Sequence, residues 1–335
     1  MILIDLTYIN SPGGITLSKE ILNEIFIKKL ESKVEILLDK RNNEVFETKG
    51  LKKMIIKGRE FDRYFFYKRN VQKYKSILCF ANVPPSFKTT KKVYIYFHNE
   101  LLLDATNMNF SFLRGFIFLM KKFYIKNRNN NYNWIVQTDH IKNLLADKLE
   151  IKRSKIDKHP IFSEREIVVQ KTNPNTFIYP SSNNPHKNNN FLLKAFILAA
   201  GKTDQQIELK ITIKESNINI YKNTYPSNLK VEYLGIIDHK RLLKIYKSSK
   251  FLIFPSLRES FGLPLIEGIQ AGCIILAPKL NYVNELISPA YSFDVNNLNS
   301  ISKTILKAIR NKNHKLQSIK VKSDIDKIFK KLINV

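Results

Sequence analysis

Cysteine is scarce in this chain: Cys79 and Cys273 are the only two in 335 residues. They have no metal-like spacing and each sits in an apolar strand pattern. That argues against a disulfide framework or a cysteine zinc site, and both read as small buried residues of a cytosolic protein. Long apolar runs are also missing, since none approaches the roughly 20 residues needed to span a bilayer. The opening Met1-Ile-Leu-Ile-Asp-Leu6 lacks a basic start and carries an acid inside its first apolar run, the pattern of a strand rather than a signal peptide. There are no internal repeats and no recognised nucleic-acid module. Acidic residues are the last shortage, 29 Asp and Glu against 56 Lys and Arg, for a formal net charge of +27. Such an excess favours an anionic partner (nucleic acid, a membrane surface or a phosphorylated substrate), or it reflects compositional drift in a chain that uses Lys, Asn and Ile heavily.

What is present is a regular alternation. Apolar strand patterns at residues 1–6, 34–38, 76–80, 92–97 and 134–137 alternate with helical stretches. The second half repeats the scheme, with strands at 176–179, 207–213, 230–233, 251–254, 273–277 and 290–293. This predicts an α/β fold of two doubly wound halves. The expected domains are residues 1–165 and 172–315, joined by an aperiodic linker over 161–172. A basic helical tail over 316–335 is expected to pack back towards the first domain.

Two stretches concentrate basic and aromatic residues. Residues 52–75 hold Arg59, Arg63, Tyr64, Phe65, Phe66, Tyr67, Lys68 and Arg69. They read as a solvated helix with a packed aromatic side, or as an acceptor- or membrane-facing surface. Residues 110–126 carry apolar stripes at helical spacing beside Arg114, Lys121, Lys122 and Lys126, which suits a buried helix or one lying in a membrane interface.

The stretch with most chemical content runs Phe254-Pro-Ser-Leu-Arg-Glu-Ser-Phe-Gly-Leu-Pro-Leu-Ile-Glu-Gly-Ile-Gln-Ala-Gly-Cys-Ile-Ile-Leu-Ala-Pro278. It reads as strand end, glycine turn at Gly262, helix opened by Pro264, and second strand, the place where α/β folds bind ligands. Glu259 and Glu267 bracket the turn. Carboxylates repel phosphate but accept hydrogen bonds from vicinal hydroxyls, whereas the free amides and dipole of a helix start suit a diphosphate. One segment could thus hold all parts of a nucleotide sugar. The plainer alternative is that Glu267 complements the helix dipole and Glu259 is an exposed loop acid.

Residues Pro255-Ser-Leu-Arg-Glu-Ser-Phe-Gly-Leu-Pro-Leu-Ile-Glu-Gly closely resemble the signature of retaining glycosyltransferases of family four, two glutamates with seven residues between them around a Phe-Gly-Leu/Phe-Pro core. Ala271-Gly-Cys-Ile-Ile-Leu-Ala277 and Val283-Asn-Glu-Leu286 look like its continuation. The resemblance implies the GT-B fold, two Rossmann-like domains facing across a cleft. It further implies that Glu259 contacts donor-sugar hydroxyls and Glu267 the ribose diol, with the backbone of Ser260, Phe261, Gly262 and Leu263 along the sugar and diphosphate. Lys187 matches the family's phosphate-binding lysine, Gly13-Gly14 its N-terminal glycine loop, and His98 the histidine near the transferred sugar. The turn at Gly235-Ile236 matches the region flanking the base. One departure stands out: many members carry an arginine about five residues before that lysine, and Pro180-Ser-Ser-Asn-Asn-Pro-His186 has none. Either hydroxyls and amides replace it, or another cation reaches in.

The implied activity is metal-independent, retaining transfer of a sugar from a nucleotide sugar to a saccharide or lipid-linked acceptor in surface polysaccharide synthesis. No cofactor is expected. The enzyme would sit in the cytoplasm at the inner membrane face, held to anionic lipid through residues 52–75 and 110–126, with no nucleic acid partner. Asp324-Ile-Asp326 looks like the metal-binding acid pair of another glycosyltransferase fold, but it lies in the basic tail away from any strand end. The alternatives are another enzyme on the GT-B scaffold, a nucleotide-sugar epimerase or phosphorylase, and a basic nucleic-acid-binding protein.

Overall fold

The computed structural model describes residues 1–48, 50–103, 119–120, 123–127, 132–167, 173–218 and 224–334. Most of the predicted 110–126 helix lies outside the described residues, although 123–126 are helical. The chain divides into two compact units, Met1–Glu164 with Lys322–Val335, and Arg165–Val321.

In the first unit, β1 (Ile2–Asp5), β2 (Val34–Asp39), β3 (Lys52–Ile56), β4 (Ser76–Cys79), β5 (Lys92–Phe97), β6 (Asn133–Val136) and β7 (Ile156–Lys158) form one sheet. Its order is β3-β2-β1-β4-β5-β6-β7, with every pairing parallel. Helices on both faces bury both sides of the inner strands, which is why β1 and β4 are mainly apolar, apart from the buried Asp5 and Ser76. Chain order reverses between β1 and β4, the position at which doubly wound sheets open a crevice.

Three boundaries differ from the sequence reading. The helix expected from Thr16 begins at Pro12, because Ser11 caps it and Pro12 has no amide to lose, so Gly13 and Gly14 occupy its first turn rather than a loop. Residues 52–56 are the edge strand β3, and the helix behind them spans Glu60–Asn70. The tail is not one helix from about 317, since the helix proper is Ile325–Ile333. That helix buries Ile328, Phe329 and Leu332 in the same core as Ile4 and Leu22, and the Leu332 carbonyl accepts from Ser76 Oγ at 2.6 Å.

In the second unit, β8 (Asn173–Tyr179), β9 (Ile207–Ile211), β10 (Leu229–Tyr233), β11 (Ser249–Ile253), β12 (Ile274–Pro278) and β14 (Tyr291–Phe293) make a second parallel sheet. Its order is β10-β9-β8-β11-β12-β14, so the reversal falls between β8 and β11. The short strands β13 (Ile287–Ser288) and β15 (Ser318–Ile319) pair separately and antiparallel. The helix Leu263–Gln270 connects β11 to β12 and packs on the sheet through Gly268. A Cβ on Gly268 would stand 2.7 Å from Leu252 Cδ1 and 3.0 Å from Ile275 Cδ1, both in the core, so a larger residue would require those side chains to shift. Both cysteines are free and buried, and burial pushes each thiol up to about 12.

The first unit also contains a buried ionic network. Arg63, 1% exposed, donates from Nε to Asp5 Oδ2 at 2.9 Å and from Nη1 to the Pro84 carbonyl at 2.7 Å. Asp5 additionally accepts from the Tyr67 hydroxyl at 2.6 Å and the Thr7 amide at 3.0 Å. Breaking a buried pair leaves an uncompensated charge, which costs about 3–5 kcal/mol. Arg63→Met should therefore lower unfolding free energy in urea by about that amount. Adding Asp5→Leu should recover part of the loss.

Candidate functional site

Both sheet reversals gather the residues singled out from the sequence. In the second unit, the turn after β11 ends at Gly262, whose φ of +92° lies in the left-handed region that favours glycine. Gly262 caps the helix Leu263–Gln270 without a side-chain bond of its own, and its carbonyl accepts from the Leu265 amide at 2.9 Å. Ser260 and Leu263 are partly buried, and Phe261 is buried. Glu259 precedes the turn and Glu267 lies inside the helix.

Lys187 arrives from the neighbouring strand, on a one-turn helix over Pro185–Lys187 that follows β8. Backbone ties hold it there. The Tyr179 hydroxyl donates to the Lys187 carbonyl at 2.6 Å. The Leu257 amide and Ser256 Oγ both donate to the His186 carbonyl, at 2.8 and 3.3 Å. The Lys187 ammonium then pairs with the Glu259 carboxylate and stands 5.2 Å over the Phe254 ring. Both side chains are largely buried, so the pair is little screened by solvent.

Glu267 is buried, and its Oε1 lies 2.6 Å from His239 Nε2. An ionised carboxylate only accepts, so the imidazole donates. His239 opens the helix His239–Ser248, which Asp238 caps by accepting from the Arg241 amide at 2.8 Å. That backbone bond, with lesser help from neighbouring amides and Arg241, holds the exposed Asp238 carboxyl below its ordinary range. Tyr246, on the same helix, is pushed well above its ordinary range by burial and by the nearby Glu267 carboxylate. His239 was not among the sequence candidates, and 28 residues separate it from its partner. Ile236 follows Gly235, which has a φ of +64°, and is 91% exposed. Where the family arginine would stand, Ser181 and Ser182 are engaged in local structure: the Ser181 amide donates to Thr212 Oγ1 at 2.7 Å, and Asn189 Nδ2 donates to the Ser182 carbonyl at 2.8 Å.

In the first unit, His98 and Gly14 adjoin. A Cβ on Gly14 would lie 3.3 Å from His98 Cε1 and 2.9 Å from Ser11 Oγ. A Cβ on Gly13 would meet nothing within 4 Å, so packing does not require that glycine. His98 follows β5. Its amide donates to Asn82 Oδ1 at 2.6 Å, and its Nε2 lies 3.0 Å from the Phe80 carbonyl, which fixes a proton on Nε2. Burial lowers its pKa from 6.5 to about 4. The ring is therefore a neutral hydrogen-bonding group at neutral pH.

The acid pair of the tail is engaged by cations. Asp324 Oδ2 lies 3.2 Å from His159 Nδ1, its Oδ1 lies 2.9 Å from Lys327 Nζ, and Asp326 pairs with Lys28. Among the described residues there is no group of three or more His, Cys, Asp or Glu placed to hold a metal.

Two acids and a lysine at the reversal point of a doubly wound sheet define a domain suited to a ligand that carries both hydroxyls and phosphate. Residues 161–322 match the model of the family "Glycosyl transferases group 1". Curated relatives include the serotype-specific mannosyltransferase WbdA of Escherichia coli, 26% identical over 109 residues. The O-antigen chain mannosyltransferase B of Escherichia coli is 27% identical over 81 residues. These matches take in 31% and 24% of this chain, which spans only 13% and 21% of the two relatives' own lengths. Among solved structures, WaaG, a glycosyltransferase involved in lipopolysaccharide biosynthesis, superposes with a TM-score of 0.66 at 11% identity, covering 93% of this chain and 91% of that one. The sucrose-phosphate synthase of Thermosynechococcus elongatus gives 0.65 at 12% identity over 92% and 90% of the two chains. These likenesses show the fold, that of GT-B glycosyltransferases.

The His98 environment has a consequence for pH. Its value is depressed on folding, so the unfolded chain binds the extra proton first as pH falls from 6.5 towards about 4. The neutral ring costs nothing above that window, and stability is lost progressively on acidification through it. An NMR titration should find the His98 midpoint near 4. The fall in urea stability between the two ends of the window should be smaller in His98→Gln than in wild type.

Proposed function

We propose that this chain transfers a sugar, with retention of configuration, from a nucleotide-sugar donor to a saccharide or lipid-linked acceptor in surface polysaccharide synthesis. One observation carries the reading: Glu259, Lys187 and the open start of the helix Leu263–Gln270 meet at the β8–β11 reversal, with Glu267 inside that helix.

In this reading Lys187 leaves Glu259 when donor arrives and takes up the diphosphate, while Glu259 turns to the sugar hydroxyls and Glu267 to the ribose diol. The bond from the anomeric carbon to the diphosphate oxygen breaks, with the departing charge stabilised by Lys187 and the helix amides. The acceptor oxygen bonds to that carbon from the same face, and its proton passes to the diphosphate. No metal is required by this scheme. Gly13, Gly14, His98 and the base-flanking Ile236 belong to the proposal on the strength of the family resemblance. The neutral imidazole of His98 suits a hydroxyl partner better than a phosphate.

Peripheral contact with an anionic membrane is part of the same proposal. Phe61 (78% exposed), Phe65, Met54 and Ile55 project from the first unit beside exposed Lys52, Lys53, Lys57, Arg59, Lys68 and Arg69. Basic residues near an anionic surface contribute about 1 kcal/mol each, and exposed aromatics enter the interface. No described helix is long and apolar enough to cross a membrane.

Thermal unfolding in a panel of nucleoside diphosphates and nucleotide sugars tests the reading. The matching nucleotide should stabilise the chain by about 2.7 kcal/mol at a hundredfold excess over its Kd, and Glu267→Ala should abolish the shift. The anomeric configuration of the product, read by NMR, separates a retaining transferase from an epimerase or a phosphorylase on the same scaffold. A wild-type chain stabilised by none of the panel would overturn the proposal.

A further inference from the structure

A carboxylate that must grip two hydroxyls at once needs more than the right position. Its plane has to be set before the ligand arrives, because a glutamate has several rotatable bonds and fixing them on binding costs free energy. His239 lies 28 residues before Glu267 in the sequence, and the fold brings it to the Glu267 carboxylate. The contact has three properties of a device for orientation. It engages a single oxygen, Oε1, at 2.6 Å. The Glu267 side chain is only 10% exposed and the His239 side chain 35% exposed, so the imidazole bonds the acid from the wetter side. Both ends are anchored: the Glu267 helix is held against the sheet at Gly268, and the His239 helix is capped by Asp238 and packs on it.

We infer that His239 is a positioning residue which fixes the Glu267 carboxylate so that its second oxygen is presented to the ribose hydroxyls, and that it thereby sets the preference for ribose over 2′-deoxyribose in the donor. The inference rests on the reading that Glu267 faces the ribose. It assigns His239 a role in discrimination, distinct from the contact itself. Without His239 the carboxylate keeps only the nearby buried Tyr246 beside it, is less firmly oriented, and meets one hydroxyl as readily as two. Affinity for the ribonucleotide then falls, while affinity for the 2′-deoxy counterpart, which has only one hydroxyl to offer, stays where it was.

Calorimetric titration of the full chain with UDP, GDP and ADP and their 2′-deoxy forms tests this. Wild type should prefer its ribonucleoside diphosphate by about tenfold or more, the scale of one hydrogen bond to a charged group. In His239→Leu the ratio should fall below about threefold through loss of ribonucleotide affinity alone. His239→Gln, whose amide can donate to the same oxygen, should restore most of the ratio, whereas His239→Asn, whose amide stops short, should behave like His239→Leu and stands in for it should that variant fold poorly. Ribo- and deoxynucleotide affinities that drop together, or a wild-type ratio in both His239→Leu and His239→Asn, would show a structural role and overturn the inference while leaving the donor reading intact. Failure of wild type to bind any of the six nucleotides would overturn both.

Discussion

The second unit depends on how closely one helix lies against its sheet. At Gly268 a methyl group would press on the side-chain ends of Leu252 and Ile275, at 2.7 and 3.0 Å. Close-packed interiors do not yield to such contacts without displacement elsewhere. The glycine lets the helix pack directly on these side chains, which sets where the residues it carries stand. Its start at Gly262 is fixed above the sheet, and Glu267, one residue before the contact, is held at a defined depth.

A second constraint is electrostatic. Each unit keeps carboxylates in poorly solvated places, and each supplies a partner: Lys187 for Glu259, His239 for Glu267 and Arg63 for Asp5. Unpaired charges in such positions would be prohibitive. The partners differ in kind, and so does what each pair can do. Arg63 is locked into carbonyls and the Asp5 carboxylate and serves the fold. Lys187 is a point charge on a flexible stem, free to change partners without rebuilding its loop, because its backbone is held through carbonyls rather than through its ammonium.

Much of this architecture could be read from the sequence because parallel strands buried on both faces are continuous apolar runs, and these do not depend on knowing the partner strand. The exceptions have physical reasons. Strand β3 reads Lys-Lys-Met-Ile-Ile and lies at an exposed edge, and β7 is three residues long, so neither carries a core signature. Gly13 and Gly14 masked a helix start that Ser11 and Pro12 announce. At the site, Glu259, Glu267 and Lys187 were identifiable because a local pattern or a family likeness marks them. His239 had no such marker, since only the fold brings it to Glu267. Arg63 did have one: it shares a helical face with Phe66 and Tyr67, three and four residues on, which sets it apart from the solvated basic residues around it.

The tail gives the molecule an unusual relation to the order in which it is made. Its first unit is discontinuous, because Ile328, Phe329 and Leu332 fill a core whose other members come from before residue 165. The second unit is one uninterrupted stretch, Arg165–Val321. Domains fold as units while the chain emerges during synthesis. Here the domain begun first is finished last: the nascent first sheet waits with part of its apolar surface uncovered until the whole of the second unit has left the ribosome.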